Sequence, residues 1–156
     1  MKTWVMEKLE ELQIPYKIKP HSKPVYTSEE AAQERGVKLS QIVKTMILMS
    51  KKEQGIIAVL PGDKKLDTKK VKKITGLKEL RFLDRTAVEE KFGLVAGAIA
   101  PIKDLFPSHI LLADPGVFAE DPVDISSGDP QAGLELSRED LRKLLTGFTL
   151  ERIAEL

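Results

Sequence analysis

Two long apolar runs near the centre of the chain predict its main strands. Residues 41–50 and 55–60 are rich in Val, Ile, Leu and Met, and a polar turn over residues 50–54 joins them. Shorter runs of the same character predict further strands at residues 16–18, 80–83, 110–113, 123–126 and 133–136.

Helical spacing of apolar residues and capping signals predict helices between these strands. The capping-box pair Thr27 and Glu30 begins a helix that ends at Gly36. The other predicted helices cover residues 3–13, Asp67 to Thr75, Asp84 to Phe92, and 138–146 after the cap Ser137. Strands and helices mix without a regular βαβ repeat, so we expect a single α+β domain over residues 1–156.

Lys44 interrupts the first of the two long apolar runs. Because side chains alternate along a strand, Lys44 shares a face with Ile42, Met46 and Leu48, and Thr45 lies on the opposite face. A cation on an apolar face either reaches water at a cleft or loses solvation at a cost of several kcal/mol. Lys44 is therefore a candidate functional group. The alternatives are a lysine that discourages edge-to-edge sheet pairing, or one whose long stem extends to solvent.

The composition excludes several classes of protein and of reactive site. Hydrophobic residues make up 42% and charged residues 31%, which is typical of a globular chain. No apolar run approaches the roughly 20 residues of a membrane helix, and the N-terminus lacks a signal-peptide core. Cysteine is absent, which excludes disulfides and thiolate nucleophiles and fits a cytoplasmic location. With two histidines, no H-E-x-x-H motif and no G-x-S-x-G motif, we expect no metal and no cofactor.

The charge is distributed unevenly along the chain. Residues 1–83 hold 18 Lys and Arg against 10 Asp and Glu, whereas residues 84–156 hold 7 against 14. The densest basic cluster includes Lys69, Lys70, Lys72 and Lys73 on one predicted helix, which would present ammonium groups to phosphates. The alternative is a solvated helix face, because aromatic residues for base stacking are missing nearby.

Two loop motifs and one histidine are further candidates for a binding site. Gly93, Gly97 and Pro101 are spaced by four, and such glycines allow close approach of a backbone or a ligand, although tight packing alone is the alternative. The segment 126–129 offers two hydroxyls, a glycine and a carboxylate after a strand, either as a polar rim or as an ordinary turn. His21 lies in a loop bounded by prolines.

Five segments of the chain, taken in order, resemble the YbaK/prolyl-tRNA synthetase-associated editing domain family, an aminoacyl-tRNA editing family. They are His21-Ser-Lys-Pro-Val-Tyr-Thr-Ser-Glu-Glu-Ala-Ala32, Val43-Lys44-Thr45, Val59-Leu-Pro-Gly-Asp63 with Leu66-Asp67, Gly93-x3-Gly97-x3-Pro101, and Ser126-Ser127-Gly128 leading to residues 136–141.

The resemblance implies a compact mixed α/β domain with a curved, barrel-like sheet surrounded by helices. It implies a free-standing deacylase that hydrolyses the ester of mischarged tRNA, tRNA-Pro or similar, with Lys44 as the key catalytic residue. The substrate-binding residues it implies are His21, Tyr26, Thr27, Thr45, Gly93, Gly97, Pro101, Ser127, Gly128 and Asp129. The expected partners are the tRNA acceptor end and, as a candidate, an aminoacyl-tRNA synthetase, with neither membrane nor DNA.

Two departures from the family pattern concern the pocket. Lys103 stands where many members carry glycine, and Gly128-Asp129-Pro130-Gln131 replaces the G-x-R-G loop of the Cys-tRNA deacylase branch. The edited amino acid is therefore not identified. Two other functions remain open: a catalytically silent tRNA-binding or synthetase-docking module that uses the lysines at 69–73, and hydrolysis of a small-molecule ester.

Overall fold

A computed structural model describes residues 2–156 and has five α-helices and eight β-strands. The helices are α1 (Trp4–Glu11), α2 (Ser28–Arg35), α3 (Thr68–Thr75), α4 (Arg85–Phe92) and α5 (Arg138–Leu144). The strands are β1 (Lys17–Pro20), β2 (Val43–Ser50), β3 (Gly55–Pro61), β4 (Leu80–Phe82), β5 (Ile110–Ala113), β6 (Val123–Ser126), β7 (Ala132–Leu136) and β8 (Thr149–Leu150). None of the helices within the described residues is long and apolar enough to cross a membrane.

The strands form two separate sheets. One has three antiparallel strands in the order β1-β7-β6, and the other has five strands in the order β4-β2-β3-β5-β8. In the larger sheet β3–β5 and β5–β8 are parallel, and the remaining pairs are antiparallel. The mixed α+β prediction is confirmed. The barrel-like sheet is a loose description, because the strands of residues 2–156 divide into two sheets and close no barrel.

The two faces of β2 pack as the alternation predicts. Val43 and Ile47 join the core between the two sheets, whereas Leu48 packs with Leu60 and with Val71 of α3. Lys44 has the same parity as Leu48 and pairs with Leu60 across the ladder. Lys44 and α3 therefore lie on the same face of the larger sheet.

Capping side chains begin four of the helices where the sequence predicts them. The first-turn amides donate to Thr27, Asp67, Asp84 and Ser137 at 2.8–3.1 Å. Helices α2, α3 and α4 end at glycines with positive φ: Gly36, Gly76 and Gly93.

Several predicted boundaries differ from the structure by one to three residues. Helix α1 stops at Glu11 because Gln13 adopts a φ of 57°, and α5 stops at Leu144. Strand β2 begins at Val43 because Leu39–Gln41 form a 3₁₀ turn. Strand β8 is not predicted from the sequence, because its two residues are both exposed and form no apolar run.

A buried carboxylate holds the last residues of the chain against the larger sheet. Asp114 follows β5 and is 7% exposed. Its oxygens accept hydrogen bonds from the backbone amides of Ile153 and Ala154, each at 2.9 Å, and of Gly116 at 2.8 Å. Because each of these amides has a charged acceptor, Asp114 ties the turn after β5 to the C-terminal segment.

We expect Asp114→Ala to reduce the free energy of unfolding by about 2–4 kcal/mol, since three amides lose an ionised acceptor and two of them lie at a buried segment. Urea unfolding followed by circular dichroism measures the change. Glu155→Ala, which changes an exposed carboxylate in the same segment, is the control and should alter stability by no more than about 0.5 kcal/mol. Equal stability of the two variants would contradict the assigned role of Asp114.

Candidate functional site

A cavity of about 210 Å³ lies along the first half of β2, at the point where the two sheets meet. Strand β4 pairs only with Leu48–Ser50, so the earlier residues of β2 have no strand on that side. The polar side chains among the residues that line the cavity are Tyr26, Thr27, Ser28, Arg35, Lys44, Thr45 and Ser126, and Gly97 lines it as well. Five of the residues predicted from the sequence line this cavity together: Tyr26, Thr27, Lys44, Thr45 and Gly97.

Lys44 is half-buried in the wall of this cavity. Desolvation lowers the pKa of its ammonium below the ordinary value of 10.5, and the carboxylates of Glu29 and Asp63 oppose that shift through space. Within residues 2–156 no hydrogen bond or ion pair involves its Nζ. The cavity therefore presents a cation whose donors are free to bind an incoming anion or carbonyl.

Thr45 also lines the cavity and carries an unpaired polar group. Its Oγ1 is buried and has no hydrogen-bond partner among residues 2–156. Leaving a buried hydroxyl unpaired costs about 1–3 kcal/mol. Because the hydroxyl is closed to solvent, a polar ligand in the cavity could remove that cost only after the Thr45 side chain rotates toward it.

Gly97 closes the cavity opposite β2 by lying against the backbone of Tyr26. It has a φ of +86°, and a Cβ at this position would lie 2.7 Å from the Cα of Tyr26 and closer still to its carbonyl oxygen. No other residue type fits without displacing that backbone. The structure therefore shows that Gly97 allows close approach of another backbone, that of Tyr26.

Tyr26 and Thr27 lie at the rim of the cavity, and each has a structural role. The exposed ring of Tyr26 lies 4.5 Å from the guanidinium carbon of Arg85, a cation–π contact. The hydroxyl of Thr27 caps α2 and also contacts Glu30. Both residues line the cavity.

Arg35 is a cavity residue that the sequence analysis missed. Its side chain is only 4% exposed, and it is the second cation in the cavity wall. Its Nη1 lies 3.4 Å from the carbonyl oxygen of Ile125 and 3.7 Å from the carboxylate of Asp124, which is fully buried. Burial raises the pKa of Asp124, while Lys19 and Arg35 oppose that rise.

His21 stands behind Arg35 and does not line the cavity. Its Nδ1 lies 2.8 Å from the carbonyl oxygen of Pro130, which only accepts, so Nδ1 carries the proton. The Nε2 atom then accepts a hydrogen bond from Arg35 Nε at 3.0 Å. A Cβ on Gly133 would overlap the guanidinium, so this glycine is also required for the position of Arg35.

The other predicted binding residues lie outside this cavity. Gly93, Ser127 and Gly128 line a second, more apolar cavity of about 300 Å³, which shares Ile99 with the first. The Ser127 hydroxyl donates to the carbonyl oxygen of Ala132 at 2.6 Å, and the Asp129 carboxylate accepts from the Gln131 amide at 2.8 Å. These polar groups therefore stabilise a turn. Pro101 is buried and lines neither cavity.

The predicted phosphate-binding lysines separate into different positions on α3. Lys70 donates from Nζ to the carbonyl oxygen of Ala154 at 3.1 Å, so it holds the C-terminal segment. Lys69 and Lys73 are exposed, and Lys72 lines a surface depression with Lys51 and Lys78. None of these lysines lies at the Lys44 cavity.

Comparison with known proteins finds one matching family model and several similar proteins. A family model described as the aminoacyl-tRNA editing domain matches residues 22–144. A protein of Enterococcus faecalis, EbsC, whose name gives it as a Cys-tRNA(Pro)/Cys-tRNA(Cys) deacylase, is 29% identical over 150 residues, covering 94% of this chain and 90% of its own. A proline–tRNA ligase of Bordetella parapertussis is 31% identical over 87 residues, or 53% of this chain and 15% of the ligase.

Solved structures share the fold over nearly the whole chain. The hypothetical protein APE2540 superposes with a TM-score of 0.84 at 30% identity, covering 97% of this chain and 99% of that one. A structure described as a trans-editing enzyme for prolyl tRNA synthetase has a TM-score of 0.74 at 24% identity and covers 97% and 95%. The second likeness shows the fold alone.

We expect NMR titration of the lysine side chains to find one group with a pKa below 10.5 that disappears in Lys44→Met. Glu29→Gln should lower this pKa further, because Glu29 is the larger of the two carboxylate influences that raise it. Glu34→Gln, on the same helix, is the control and should leave it unchanged.

The same shift has a consequence for stability. The Lys44 amine binds its proton more tightly in the unfolded chain than in the folded one, so protonated Lys44 lowers the free energy of unfolding. This loss of stability disappears as the pH rises from the pKa of Lys44 in the folded protein to 10.5. The Lys44→Met variant should lack this rise in stability. A Lys44 pKa at or above 10.5 would contradict the desolvated position.

Proposed function

Because the chain belongs to the aminoacyl-tRNA editing domain family, we propose that it is a trans-acting deacylase that hydrolyses the ester of mischarged tRNA. The observation that carries this proposal is an unpaired Lys44 ammonium in the wall of a cavity closed by the Gly97 backbone. The Enterococcus relative carries the name of a tRNA deacylase, which supports hydrolytic chemistry. The cytoplasm, where aminoacyl-tRNA is used, is the proposed location.

The contents of the cavity suit the hydrolysis of an ester that is already activated. Water adds to the ester carbonyl, the bond to the ribose oxygen breaks, and the free amino acid and the tRNA hydroxyl leave. Such a reaction needs placement and charge stabilisation more than a protein nucleophile. Of the described residues that line the cavity, Lys44 and Arg35 are cationic and none is acidic. This sign of charge fits a terminal phosphate or a developing oxyanion.

The proposed roles follow from the position of each group. Lys44 binds the terminal phosphate or the carbonyl oxygen, and Thr45 Oγ1 supplies a hydrogen bond to the bound ester once its side chain rotates toward the cavity. The Gly97 segment and Tyr26 form the opposite wall, and His21 positions Arg35 from behind. Gly93, Pro101 and the turn 127–129 shape the second cavity and its surroundings.

The first substrate to test is tRNA-Pro carrying a wrong amino acid. The Enterococcus relative is named for cysteine on tRNA(Pro) and tRNA(Cys), so cysteine comes first, followed by alanine, serine and small non-protein amino acids. The ligase relatives carry a matching segment, so a prolyl-tRNA synthetase is the proposed partner.

We expect Lys44→Ala to reduce the rate of deacylation by at least about 10²-fold, the usual cost of removing one group that stabilises developing charge. The fold should remain intact, because a smaller apolar residue replaces a half-buried lysine. Release of labelled amino acid from each mischarged tRNA measures the rate, and urea unfolding checks the fold. Lys17→Ala, at an exposed lysine of β1, is the matched control and should be fully active.

Retained activity in a folded Lys44→Ala variant would remove the proposed mechanism. If the wild type binds tRNA but releases no amino acid from any member of the panel, the chain is a silent tRNA-binding or docking module. Equal hydrolysis of esters on any tRNA and on small alcohols would instead assign a general esterase.

A further inference from the structure

A basic depression lies at the far end of β2 from Lys44. It has a volume of about 430 Å³, and its charged lining residues are Lys51, Lys72, Lys78 and Arg81 together with one carboxylate, Glu79. We call these four cations the basic basin. We propose that the basic basin binds the sugar-phosphate backbone of the double-helical stem of the tRNA substrate. The inference rests on the proposed deacylase function and adds to it the surface that holds the body of the substrate.

Three separate elements supply the basin, and so no single run of sequence predicts it. Lys72 lies on α3, Lys51 follows the end of β2, and Arg81 lies on β4 with Lys78 just before it. Antiparallel pairing of β2 with β4 sets Ser50 opposite Leu80, which places Lys51 beside Glu79, and both Lys51 and Arg81 line the depression. A second depression of about 380 Å³ shares Lys51 and Lys78 and adds Lys52.

The charges of the basin are available to a polyanion. Lys51 contacts Glu79 at 3.7 Å, and Arg81 contacts Glu53 at 3.5 Å. Both members of each of these two ion pairs have side chains that are more than half exposed. Exposed pairs of this kind contribute about 0–1 kcal/mol, so phosphate groups replace them readily. Among the described residues, Lys72 and Lys78 have no ion pair within 4.0 Å. The excess of cations over carboxylates in the lining is three.

The position of the basin relative to Lys44 fits a substrate that begins at the cavity. Lys44 and Lys51 are seven residues apart along an extended strand, which corresponds to about 23 Å. Both the Lys44 side chain and α3 lie on the same face of the larger sheet. At about 3.4 Å per stacked nucleotide, this distance is spanned by roughly seven nucleotides.

Seven nucleotides extend beyond the short unpaired 3′ end of a tRNA and reach the paired stem. A ligand whose terminal ester occupies the Lys44 cavity would therefore bring stem phosphates to the basin. No aromatic residue is among those that line the basin, so it offers no platform for stacking unpaired bases. Its chemistry suits phosphate contacts, which are independent of sequence.

The test uses the variant Lys72→Glu/Lys78→Glu and two substrates that carry the same amino acid. One is the full mischarged tRNA, and the other is the aminoacylated terminal trinucleotide, which lacks the stem. For the full tRNA we expect KM to rise about 10-fold with kcat unchanged. For the trinucleotide we expect wild-type KM and kcat, because its phosphates do not reach the basin.

A salt titration gives a second, independent measure. Each phosphate contact contributes about 0.7–0.9 to the slope of log affinity against log salt, so the variant should lose about 1–2 units of slope for tRNA. Lys17→Glu/Lys143→Glu makes the same change in charge at exposed lysines away from both sites and should retain the wild-type slope and KM.

Any other outcome overturns either the role of the basic basin or the proposed deacylase function. An unchanged KM for full tRNA, or an equal effect in the control variant, would leave the basin as a solvated surface and overturn the inference. If the wild type hydrolyses neither substrate, the deacylase proposal fails on its own, and the basin is tested by binding of uncharged tRNA alone. Equal affinity and slope of wild type and Lys72→Glu/Lys78→Glu in that assay would then reject it.

Discussion

One lysine ammonium, held against an apolar sheet without a hydrogen-bonded counter-ion, is the constraint on which the site depends. Burial is the main influence on the pKa of Lys44, and the two carboxylates that oppose it act only at a distance. The short β4 leaves the first half of β2 without a ladder partner among the described residues on the side away from β3, and Gly97, packed against the backbone of Tyr26, is part of the wall of the resulting cavity. The fold thus keeps a cation beside a hollow, where it remains only partly solvated and is available to an anionic ligand. In water the same charge would be screened and would discriminate little between a ground state and a more charged transition state.

The second cation of the cavity shows how much supporting structure such a charge needs. Arg35 is nearly fully buried, and three features hold it: the neutral His21 ring, the carboxylate of Asp124 and the missing side chain of Gly133. Removing one partner of a buried charge is usually more costly than the net contribution of the pair. Arg35 is therefore held in one position by His21, Asp124 and Gly133 together. Within the part of the chain that the structure describes, the Lys44 side chain has no hydrogen bond that fixes it, so its ammonium can move to meet a ligand.

Local sequence patterns predicted most helices and strands, whereas the burial of Arg35 and the pairing of distant strands depend on tertiary contacts. Caps at Thr27, Asp67, Asp84 and Ser137 and the alternation along β2 follow from residue chemistry within a few positions, so sequence alone indicates them. Arg35 lies in a helix with few apolar residues and looks like a solvent-facing arginine, because its burial comes from Asp124 and Gly133, which are 89 and 98 residues away. The parallel pairing of β3 with β5 and the existence of β8 likewise depend on distant partners. Ser127 and Asp129 had two interpretations, and their hydrogen bonds within the turn could be seen only in three dimensions.

Strand β2 connects two groups of cations that belong to the basic first half of the chain. This strand carries the half-buried Lys44 near its start and leads directly into the exposed basic basin at its end. Exposed charges attract a polyanion over a distance of about a Debye length, roughly 8–10 Å at physiological salt, whereas a cation in a cavity acts mainly on a group that has entered it. In the function proposed above, the basin captures and aligns the nucleic acid, and the cavity holds the reacting ester. Because the two lie at opposite ends of one rigid strand, the distance between them is fixed. Under the same proposal, a tRNA aligned on the basin would present its ester to Lys44 at a defined distance from its stem.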